Sequence, residues 1–327
     1  MPWSLYNPKI LEETENKLIE LSGIEVKKHR IMIDSCNFIY CLTCGDPSNP
    51  PLVILHGYGG AGMIFFKVIQ KLSLHFRVYL YDHLGMGLSA RPTFTPQTIE
   101  QVESFFVEPI EKFRKHFKLK KFVLAGHSFG GYIGGCYTLK YTKHVEKLLF
   151  LSAIGIPEEP ENYDFVRELK GGWLERLREK FMMFLWVRNI TPLTVFRMLG
   201  PLGHNFMMGM FSHRVSGISK EEEGVILTYL EQISSLSGSG EYGLALIVNP
   251  GTWAKNPLVN RIHTLKVPMA FCFGDRDWVQ PDGAHVVLEK SEGKALIYTL
   301  SGSDHHMYWD NPEGLADTII RAVDELD

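Results

Sequence analysis

The chain has 327 residues, of which 45% are apolar and 22% are charged, which is the balance of a folded globular protein and argues against a disordered chain. Its length suits one large α/β domain or two ordinary domains. The formal net charge of −3 provides no broad basic field, so we do not expect nucleic acid as a partner.

The number of cysteines and the N-terminal sequence indicate in which cellular compartment the protein is expected. The five cysteines, at positions 36, 41, 44, 136 and 272, are odd in number and dispersed, which does not fit a disulfide framework. Cys41 and Cys44 form a C-x-x-C in a predicted strand, where an offset of three puts the sulfurs on opposite faces, so we expect two small buried thiols. The first residues lack a secretory or transit layout, and no run reaches about 18 apolar residues. We expect an intracellular protein, cytoplasmic or peripheral to an organelle membrane, with the mitochondrion as one candidate.

Strands are predicted along most of the chain outside one central segment. Residues 9–22 have the spacing of an amphipathic surface helix, with one side formed by Ile10, Leu11, Leu18 and Leu21. Residues 26–33 and 37–44 are predicted as an antiparallel strand pair. Continuous apolar runs follow, of the kind that forms strands buried on both faces, at 52–55, 76–81, 122–125, 147–151, 268–273 and 295–300.

Helical segments lie between these runs. Apolar residues recur at three- and four-residue steps over 99–117, and residues 129–142 and 282–290 are also predicted as helices. Asn311 and Pro312 mark the start of a last helix. Because strands alternate with helices, we predict an α/β fold with a mostly parallel, eight-stranded sheet flanked by helices.

The alternation stops between residues 153 and 254. This stretch is helical in pattern and too long for a loop, so we predict a helical cap at 153–254, inserted after the sixth strand. The core is then discontinuous, made of 1–152 and 255–327. Residues 181–211 hold six of the twelve methionines, which favours an acyl-chain tunnel or a lid in peripheral contact with a membrane. An ordinary core between cap helices is the alternative, and Trp3 is a weaker candidate for an interfacial anchor.

The strongest chemical motif is Gly126-His127-Ser128-Phe129-Gly130. It stands directly after an apolar strand and before a glycine-rich helix start, where a G-x-S-x-G motif places its serine on a sharp strand-to-helix turn. Side chains at Gly126 and Gly130 would collide with neighbouring backbone at such a turn. Ser128 is therefore the predicted nucleophile.

A nucleophilic serine needs a base, and the base needs an acid that orients it. The base should follow the last strand, where we favour His305 and expect the adjacent His306 to pack or to support the loop. The acid should follow the penultimate strand, where we favour Asp277 and keep Asp275 as the alternative. In the sequence Ser128 comes first, Asp277 second and His305 third. This is the order in which serine, acid and histidine occur in chains whose nucleophile lies on a G-x-S-x-G turn.

Attack on an acyl group creates an oxyanion that needs two backbone N–H donors. We assign the N–H of Phe129, directly after the nucleophile, and the N–H of Tyr58, in the glycine-rich loop after the first parallel strand. A dinucleotide site in that loop is disfavoured because G-x-G-x-x-G is absent. Metal-ligand spacings are absent as well, so we expect no metal and no cofactor, and we predict loop-shaping roles for His56, His83 and His127.

Motifs of one family recur along nearly the whole chain: Pro51-Leu52-Val53 before His56-Gly57-Tyr58-Gly59-Gly60, the loop from Asp82 to Pro92, Gly126-His127-Ser128-Phe129-Gly130-Gly131, Trp253-Ala254-Lys255-Asn256-Pro257, and His305-x4-Asp310 before Asn311-Pro312-Glu313. In these motifs the chain resembles the α/β-hydrolase fold. It is most similar to the subfamily of lyso-N-acylphosphatidylethanolamine lipases, lysophosphatidic acid acyltransferase-like proteins and mitochondrial cardiolipin deacylases.

The resemblance implies a serine lipase or esterase that cleaves acyl ester or amide bonds of phospholipids or lysophospholipids through an acyl-enzyme on Ser128. One alternative is a lysophospholipid acyltransferase that uses the same triad. Another is a non-catalytic subunit or regulator of a larger complex, against which the presence of Ser128 argues. His-x4-Asp has been read as an acyltransferase signature, but Asp310 precedes a helix start where a carboxylate is favourable, so we interpret it as structural. Relatives often carry an acidic residue where this chain has Gln280.

Overall fold

Eight strands form one sheet at the centre of the computed structural model, which describes residues 5–161, 172–205, 217–250 and 253–327. In chain order the strands are β1 Lys27–Met32, β2 Phe38–Cys44, β3 Pro51–Leu55, β4 Arg77–Tyr81, β5 Phe122–His127, β6 Val145–Leu151, β7 Met269–Gly274 and β8 Ala295–Leu300. Their order across the sheet is β1-β2-β4-β3-β5-β6-β7-β8. β2 pairs antiparallel with β1 and β4, and the other neighbours are parallel. The predicted antiparallel opening pair and mostly parallel eight-stranded sheet are confirmed.

The parallel register brings the carboxyl ends of four adjacent strands to one edge. Leu55 at the end of β3 is opposite Gly126 in β5. Leu151 at the end of β6 is opposite His127 on one side and Cys272 of β7 on the other. Loops that leave these ends start side by side, so residues far apart in the sequence meet there.

Helices pack on both faces of this sheet and also occur in the segment between β6 and β7. They are α1 Pro8–Leu21, α2 Ile69–Leu72, α3 Ile99–His116, α4 Phe129–Lys140, α5 Trp173–Val187, α6 Pro192–Leu199, α7 Lys220–Ser235, α8 Leu244–Ile247, α9 Asp282–Lys290, α10 Met307–Asp310 and α11 Pro312–Glu325. Thr98 and Gln101 form a capping box at the start of α3. The side chain of Asn311 accepts the N–H of Gly314 at 3.0 Å, so α11 begins where the sequence predicts.

Successive strand side chains enter two separate apolar layers, one on each face of the sheet. In β5, Leu124 packs in one layer, and Val123 and Ala125 pack in the other. The same alternation separates Cys41 from Cys44. Both are free and buried, which confirms the prediction of two thiols on opposite faces.

Burial differs from the sequence pattern at two margins of the fold. The run 295–300 is not buried on both faces, because β8 is an edge strand with a neighbour on one side only, and Thr299 is exposed. In α1, Leu11 and Leu18 are buried as predicted, but Ile10 is 37% exposed. The buried side of α1 is therefore narrower than the apolar pattern of the sequence suggests.

The described parts of the segment between β6 and β7 contain the helices α5 to α8 and an isolated bridge between Val248 and Ala254. Its boundaries as a cap stay predictions.

α1 packs against α7, and the N–H of Asn7 donates to Gln232 Oε1 at 2.7 Å, a contact that the sequence did not indicate. Trp3 and the methionine-rich residues 206–211 lie outside the described residues. Among the helices that are described, each is too short or too polar to cross a lipid bilayer.

The junction of β5 and α4 leaves no room for a side chain at Gly126, where a Cβ would lie 2.4 Å from the carbonyl oxygen of Gly130. At Gly134 on α4, a Cβ would meet its nearest neighbours at 3.7 Å, an ordinary contact distance. We expect Gly126→Ala to lower the free energy of unfolding by at least about 2 kcal/mol. Gly134→Ala should raise it by up to about 1 kcal/mol, because alanine is the better helix former. Urea denaturation followed by circular dichroism measures both, and equal midpoints would contradict this packing.

Candidate active site

Ser128 lies at the bend between β5 and α4. Its φ of 53° is in the left-handed region, which residues other than glycine rarely adopt. The N–H of Ser128 donates to the Leu151 carbonyl at 3.0 Å, and the Ser128 carbonyl accepts the N–H of Gly131 at 3.0 Å and of Ile154 at 3.3 Å. These bonds to β6, to α4 and to the chain after β6 hold a strained backbone in place. The bend has the strand-to-helix geometry that G-x-S-x-G motifs adopt.

Two glycines allow the loop after β3 to lie against this bend. A Cβ on Gly130 would lie 2.5 Å from the carbonyl oxygen of His56. A Cβ on Gly57 would lie 2.9 Å from His127 Nδ1 and 3.1 Å from Ser128 Cβ. These separations are shorter than van der Waals contact, so each position requires glycine. The loop that contains Tyr58 is therefore in direct contact with the Ser128 bend.

Tyr58 and Phe129 are chain neighbours of the residues in this contact: Tyr58 follows Gly57, and Phe129 follows Ser128. Within the described ranges, neither backbone N–H donates a hydrogen bond. The carbonyl of Gly57 accepts His56 Nδ1–H at 2.7 Å and the N–H of Gly60 at 3.2 Å. Because the peptide is planar and trans, these bonds aim the N–H of Tyr58, which belongs to the same peptide, in the opposite direction. His56 thus fixes the orientation of one predicted oxyanion donor.

The structure brings together His305 and Asp277. The Nδ1–H of His305 donates to Asp277 Oδ1 at 3.2 Å. The N–H of Val279 donates to the same oxygen at 2.9 Å, and the Gln280 side chain donates to the Asp277 carbonyl at 2.8 Å. Burial by itself raises the pKa of Asp277, but the hydrogen bond and charge of His305, with the other donors, outweigh burial and lower that pKa. The carboxylate is therefore ionised at neutral pH.

The backbone of His305 is fixed on both sides of its Cα. His127 Nε2–H donates to the His305 carbonyl at 2.9 Å, and the His305 N–H donates to Asp304 Oδ1 at 2.7 Å. The ring of Trp278 lies 4.6 Å from the imidazole, centroid to centroid. Ser128 and His305 line the same cavity, and no hydrogen bond joins their side chains in the part of the chain that is described. Catalytic pairs commonly form that bond only when substrate is bound.

His306 and Asp275, which stand near His305 and Asp277 in the sequence, make other contacts. The ring of His306 stacks on Trp309, with centroids 5.1 Å apart. Asp275 is exposed, and its carboxylate accepts the N–H groups of Gly302 and Ser303 at 2.9 and 3.1 Å. Of the two aspartates left open by the sequence, the one that accepts from an imidazole is Asp277.

One further residue contacts the histidine and the aspartate, and the sequence did not single it out. Ser152 follows β6 and is fully buried. Its Oγ donates to Asp277 Oδ2 and lies 2.7 Å from His305 Nδ1. A serine after an apolar strand carries no signal of its own, so this contact becomes visible only when β6 and β7 are known to be neighbours.

Ser128 and His305 face a cavity of about 380 Å³. On the side of the predicted cap its wall is apolar and comes from α5, α7 and the region of α8, through Trp186, Leu230, Leu244 and Val248. A cavity of this volume, with an apolar wall beside Ser128, suits a small-molecule ligand that has an apolar part. The described residues contain no group of three or more His, Cys, Asp or Glu side chains arranged to hold a metal ion.

Three buried histidines support the site in their neutral forms. Burial lowers the pKa of His56 to about 4 and that of His127 to about 3, and it lowers the pKa of His83 well below 6.5. His56 donates through Nδ1 and accepts the N–H of His83 at Nε2, at 3.1 Å. These contacts fit the loop-shaping roles that the sequence predicts for them.

The sequence profile of the alpha/beta hydrolase fold matches residues 50–312. The chain belongs to the alpha/beta hydrolase fold family. The matched region begins beside β3 and ends at the start of α11, so it includes the Ser128 bend and the loops of Asp277 and His305.

Named relatives of this hydrolase-fold chain cover nearly all of it. A probable 1-acylglycerol-3-phosphate O-acyltransferase of Oryza sativa subsp. japonica is 32% identical over 308 residues, which are 92% of this chain and 73% of that protein. A human (lyso)-N-acylphosphatidylethanolamine lipase is 25% identical over 325 residues, 97% of this chain and 92% of that protein. The subfamily that the motifs resemble is thus confirmed.

A solved structure shares the same architecture. A bacterial membrane phospholipase A superposes with a TM-score of 0.69 at 18% sequence identity, and the match covers 97% of this chain and 91% of that one. At this level of identity the likeness shows the fold, and a fold by itself does not determine the reaction.

The neutral histidines predict a loss of stability in acid. In the unfolded chain His56, His83 and His127 bind protons below about pH 6.5. In the folded protein the pKa is about 4 for His56, about 3 for His127 and well below 6.5 for His83, so all three bind protons only at lower pH. Each therefore removes about 1.4 kcal/mol of stability per pH unit below 6.5, or roughly 4 kcal/mol for the three together at about pH 5.5. Urea denaturation at about pH 7.5 and about pH 5.5 measures this loss.

His83→Phe is the matched variant for this measurement, because His83 already packs among the rings of Tyr81, Phe106 and Phe129. Phenylalanine keeps the ring and removes the titrating group. The acid loss should then be smaller by about one third. A loss of stability as large as that of the wild type would contradict the assignment of His83 as a neutral buried group.

Proposed function

We propose that this protein is a serine hydrolase that cleaves acyl ester or amide bonds of phospholipids or lysophospholipids. The observation that supports it best is the placement of Ser128 on a strained bend, in one cavity with a histidine whose Nδ1–H donates to buried Asp277. In this assignment Ser128 is the nucleophile, His305 is the base and Asp277 is the orienting acid.

The reaction proceeds through two acyl transfers. His305 Nε2 takes the hydroxyl proton while Ser128 Oγ attacks the acyl carbonyl carbon, and the N–H groups of Tyr58 and Phe129 stabilise the oxyanion. The imidazolium then protonates the leaving alcohol or amine, and the acyl group stays on the serine as an ester. Water attacks this ester as His305 takes its proton, and His305 then returns a proton to Ser128 Oγ, which releases the carboxylic acid and restores the free serine and the neutral imidazole. Asp277 keeps the proton on Nδ1 throughout and stabilises the imidazolium.

The acyl chain is the part of the substrate that the cavity accommodates. Its wall on the cap side is apolar, and methionine and aromatic residues are abundant in the same segment. The rice relative is named for acyl transfer to 1-acylglycerol-3-phosphate, and the human relative is named as a lipase of (lyso)-N-acylphosphatidylethanolamine. Both names describe acyl chemistry of glycerophospholipids, which is why we assign that substrate class.

A second candidate is transfer of the acyl group to a lysophospholipid instead of water, which the name of the rice relative favours. Both reactions share the acyl-enzyme and differ in the acceptor. The His-x4-Asp spacing does not separate them, because Asp310 Oδ2 accepts the N–H of Asp304 at 2.8 Å and so supports the loop that carries His305. Incubation with a lysophospholipid and acyl-CoA does separate them: transfer forms a diacyl phospholipid, and hydrolysis forms only free fatty acid.

We also propose that one face of α5 lies on a lipid surface. Large apolar side chains recur on this helix every three or four residues, which places them on one side, and all are about half exposed or more: Trp173, Leu177, Phe181, Phe184 and Val187. Trp186 of the same helix lines the cavity of Ser128. The exposed apolar face and the cavity therefore share one helix.

Basic side chains flank this face. Arg176, Lys180 and Arg188 are exposed, and the guanidinium of Arg188 lies 3.6 Å from the ring centroid of Phe184. A helix with exposed aromatic residues on one side and basic residues beside them binds at the headgroup level of anionic membranes. Such a membrane would present phospholipid next to the catalytic cavity.

The catalytic assignment predicts different effects of three substitutions on the release of fatty acid from a lysophospholipid. Ser128→Ala should abolish it. Asp277→Asn should lower kcat by roughly 1,000- to 10,000-fold, since the imidazole loses its orienting carboxylate. Asp275→Asn is the matched control, and it should change kcat less than about tenfold because Asp275 contacts only loop groups. Equal losses for the two aspartate variants would contradict the choice of acid, and full activity of Ser128→Ala would refute the proposal.

The lipid-surface assignment predicts that Phe181→Glu weakens binding to vesicles of phosphatidylcholine and phosphatidylserine by roughly tenfold or more, since an apolar side chain is replaced by an anion. Cosedimentation measures this. Leu74→Glu is the matched control, because Leu74 is 74% exposed but lies between α2 and β4. Hydrolysis of a water-soluble ester should be unchanged in both variants. Equal vesicle binding by the two variants would contradict a membrane contact through α5.

A further inference from the structure

Ser152 is placed where β6 ends, beside the carboxyl end of β7. Its N–H donates to the carbonyl of Cys272 in β7 at 2.7 Å, which ties the two strand ends together. Its φ of 47° is in the left-handed region, which is uncommon for a residue with a Cβ. Strain of this kind persists where the surrounding structure enforces it, and it concentrates at functional sites.

The side chain of Ser152 contacts both partners of the histidine–aspartate pair. Its Oγ donates to Asp277 Oδ2 and lies 2.7 Å from His305 Nδ1. The other carboxylate oxygen, Oδ1, is 3.2 Å from the same nitrogen. Of the two acceptors of the imidazole Nδ1–H, the nearer one is therefore the serine hydroxyl.

The directions of these hydrogen bonds follow from the chemistry of the groups. An ionised carboxylate can only accept, so the single hydroxyl proton of Ser152 goes to Asp277. A lone pair of the same oxygen then remains to accept the Nδ1–H of His305. The hydroxyl is fully buried, so water does not compete for either bond. Ser152 thus relays a hydrogen bond from the imidazole to the carboxylate.

We propose that Ser152 is a positioning residue of the catalytic site, which holds the Asp277 carboxylate and shares the Nδ1–H of His305 with it. This inference rests on the proposed serine-hydrolase function for its kinetic consequences, but the contacts exist without turnover. When His305 takes the proton of Ser128, the imidazolium is stabilised by Asp277 directly and through the Ser152 hydroxyl. No proton leaves Nδ1 in this scheme.

Ser152→Ala tests the kinetic consequence. Loss of the relay should lower kcat for a lysophospholipid or a water-soluble ester by roughly 10- to 100-fold with little change in KM. A factor of that size corresponds to the free energy that one hydrogen bond to a charged group contributes. The acid limb of the kcat/KM profile, which reports His305, should move to lower pH, because the imidazolium loses its nearest acceptor. If Ser152→Ala keeps the wild-type kcat and its acid limb does not move, the proposal is overturned. If the acid limb moves to higher pH, the assignment of Ser152 Oγ as an acceptor of the Nδ1–H is contradicted.

Two further variants separate positioning from packing. Ser152→Gly also lacks the hydroxyl but tolerates a positive φ, so it should fold even where Ser152→Ala does not and should show the same kinetic change. Ser234→Ala is the matched control, because Ser234 is a buried serine of α7 whose hydroxyl has no hydrogen-bond partner in the described structure. It should leave kcat and the pH profile unchanged. A Ser234→Ala variant with the same losses would assign the effect to packing and overturn the proposal.

Proton NMR tests the contact independently of activity. A buried imidazole Nδ1–H held by two acceptors gives a resonance far downfield, assigned by its loss in His305→Gln. We expect Ser152→Ala and Ser152→Gly to shift or broaden it and Ser234→Ala to leave it in place. An unshifted resonance in both Ser152 variants would overturn the inference. If the wild type hydrolyses no substrate but the resonance shifts in the Ser152 variants, the proposed function is refuted. The positioning of His305 by Ser152 is then still supported.

Discussion

At Ser128 the backbone leaves β5 and enters α4 within one residue, with a φ of 53°. Such a bend needs neighbours that approach very closely, and Gly126 and Gly130 permit this because they carry no side chain. It also needs a fixed backbone around it, which β6 provides when the Leu151 carbonyl accepts the N–H of Ser128. The parallel arrangement of β3, β5, β6 and β7 supplies these contacts, and the other groups of the site are placed relative to this bend.

Hydrogen bonds that involve the backbone connect the proposed catalytic groups to the bend. His127 precedes Ser128 in β5 and donates to the carbonyl of His305, so the residue beside the proposed nucleophile also holds the loop of the proposed base. His56 fixes the carbonyl of the Gly57–Tyr58 peptide, whose N–H is the predicted oxyanion donor. A displacement of the bend would therefore move His305 and the N–H of Tyr58 with it. This accounts for three neutral, buried histidines in one small region, each with a structural hydrogen bond.

The strands and the Ser128 bend could be predicted because their signals are local: continuous apolar runs mark the strands, and the G-x-S-x-G spacing marks the bend. The position of β4 outside β3 in the sheet depends on packing between distant segments, and no local pattern encodes it. Asp275 and Asp277 share one local pattern, so the choice between them needed the loop of His305 in place. The contact of Ser152 with His305 spans 153 residues and needs β6 and β7 side by side.

Peptide-level mass spectrometry after reaction with a long-chain fluorophosphonate tests most directly the claim that Ser128 is an activated nucleophile. The probe forms a stable covalent bond with an activated serine and stands in for the acyl-enzyme. We expect one adduct, on the peptide that contains Ser128, and strongly reduced labelling of folded His305→Gln. An adduct formed equally by Ser128→Ala, or no adduct on the wild-type protein, would contradict this claim.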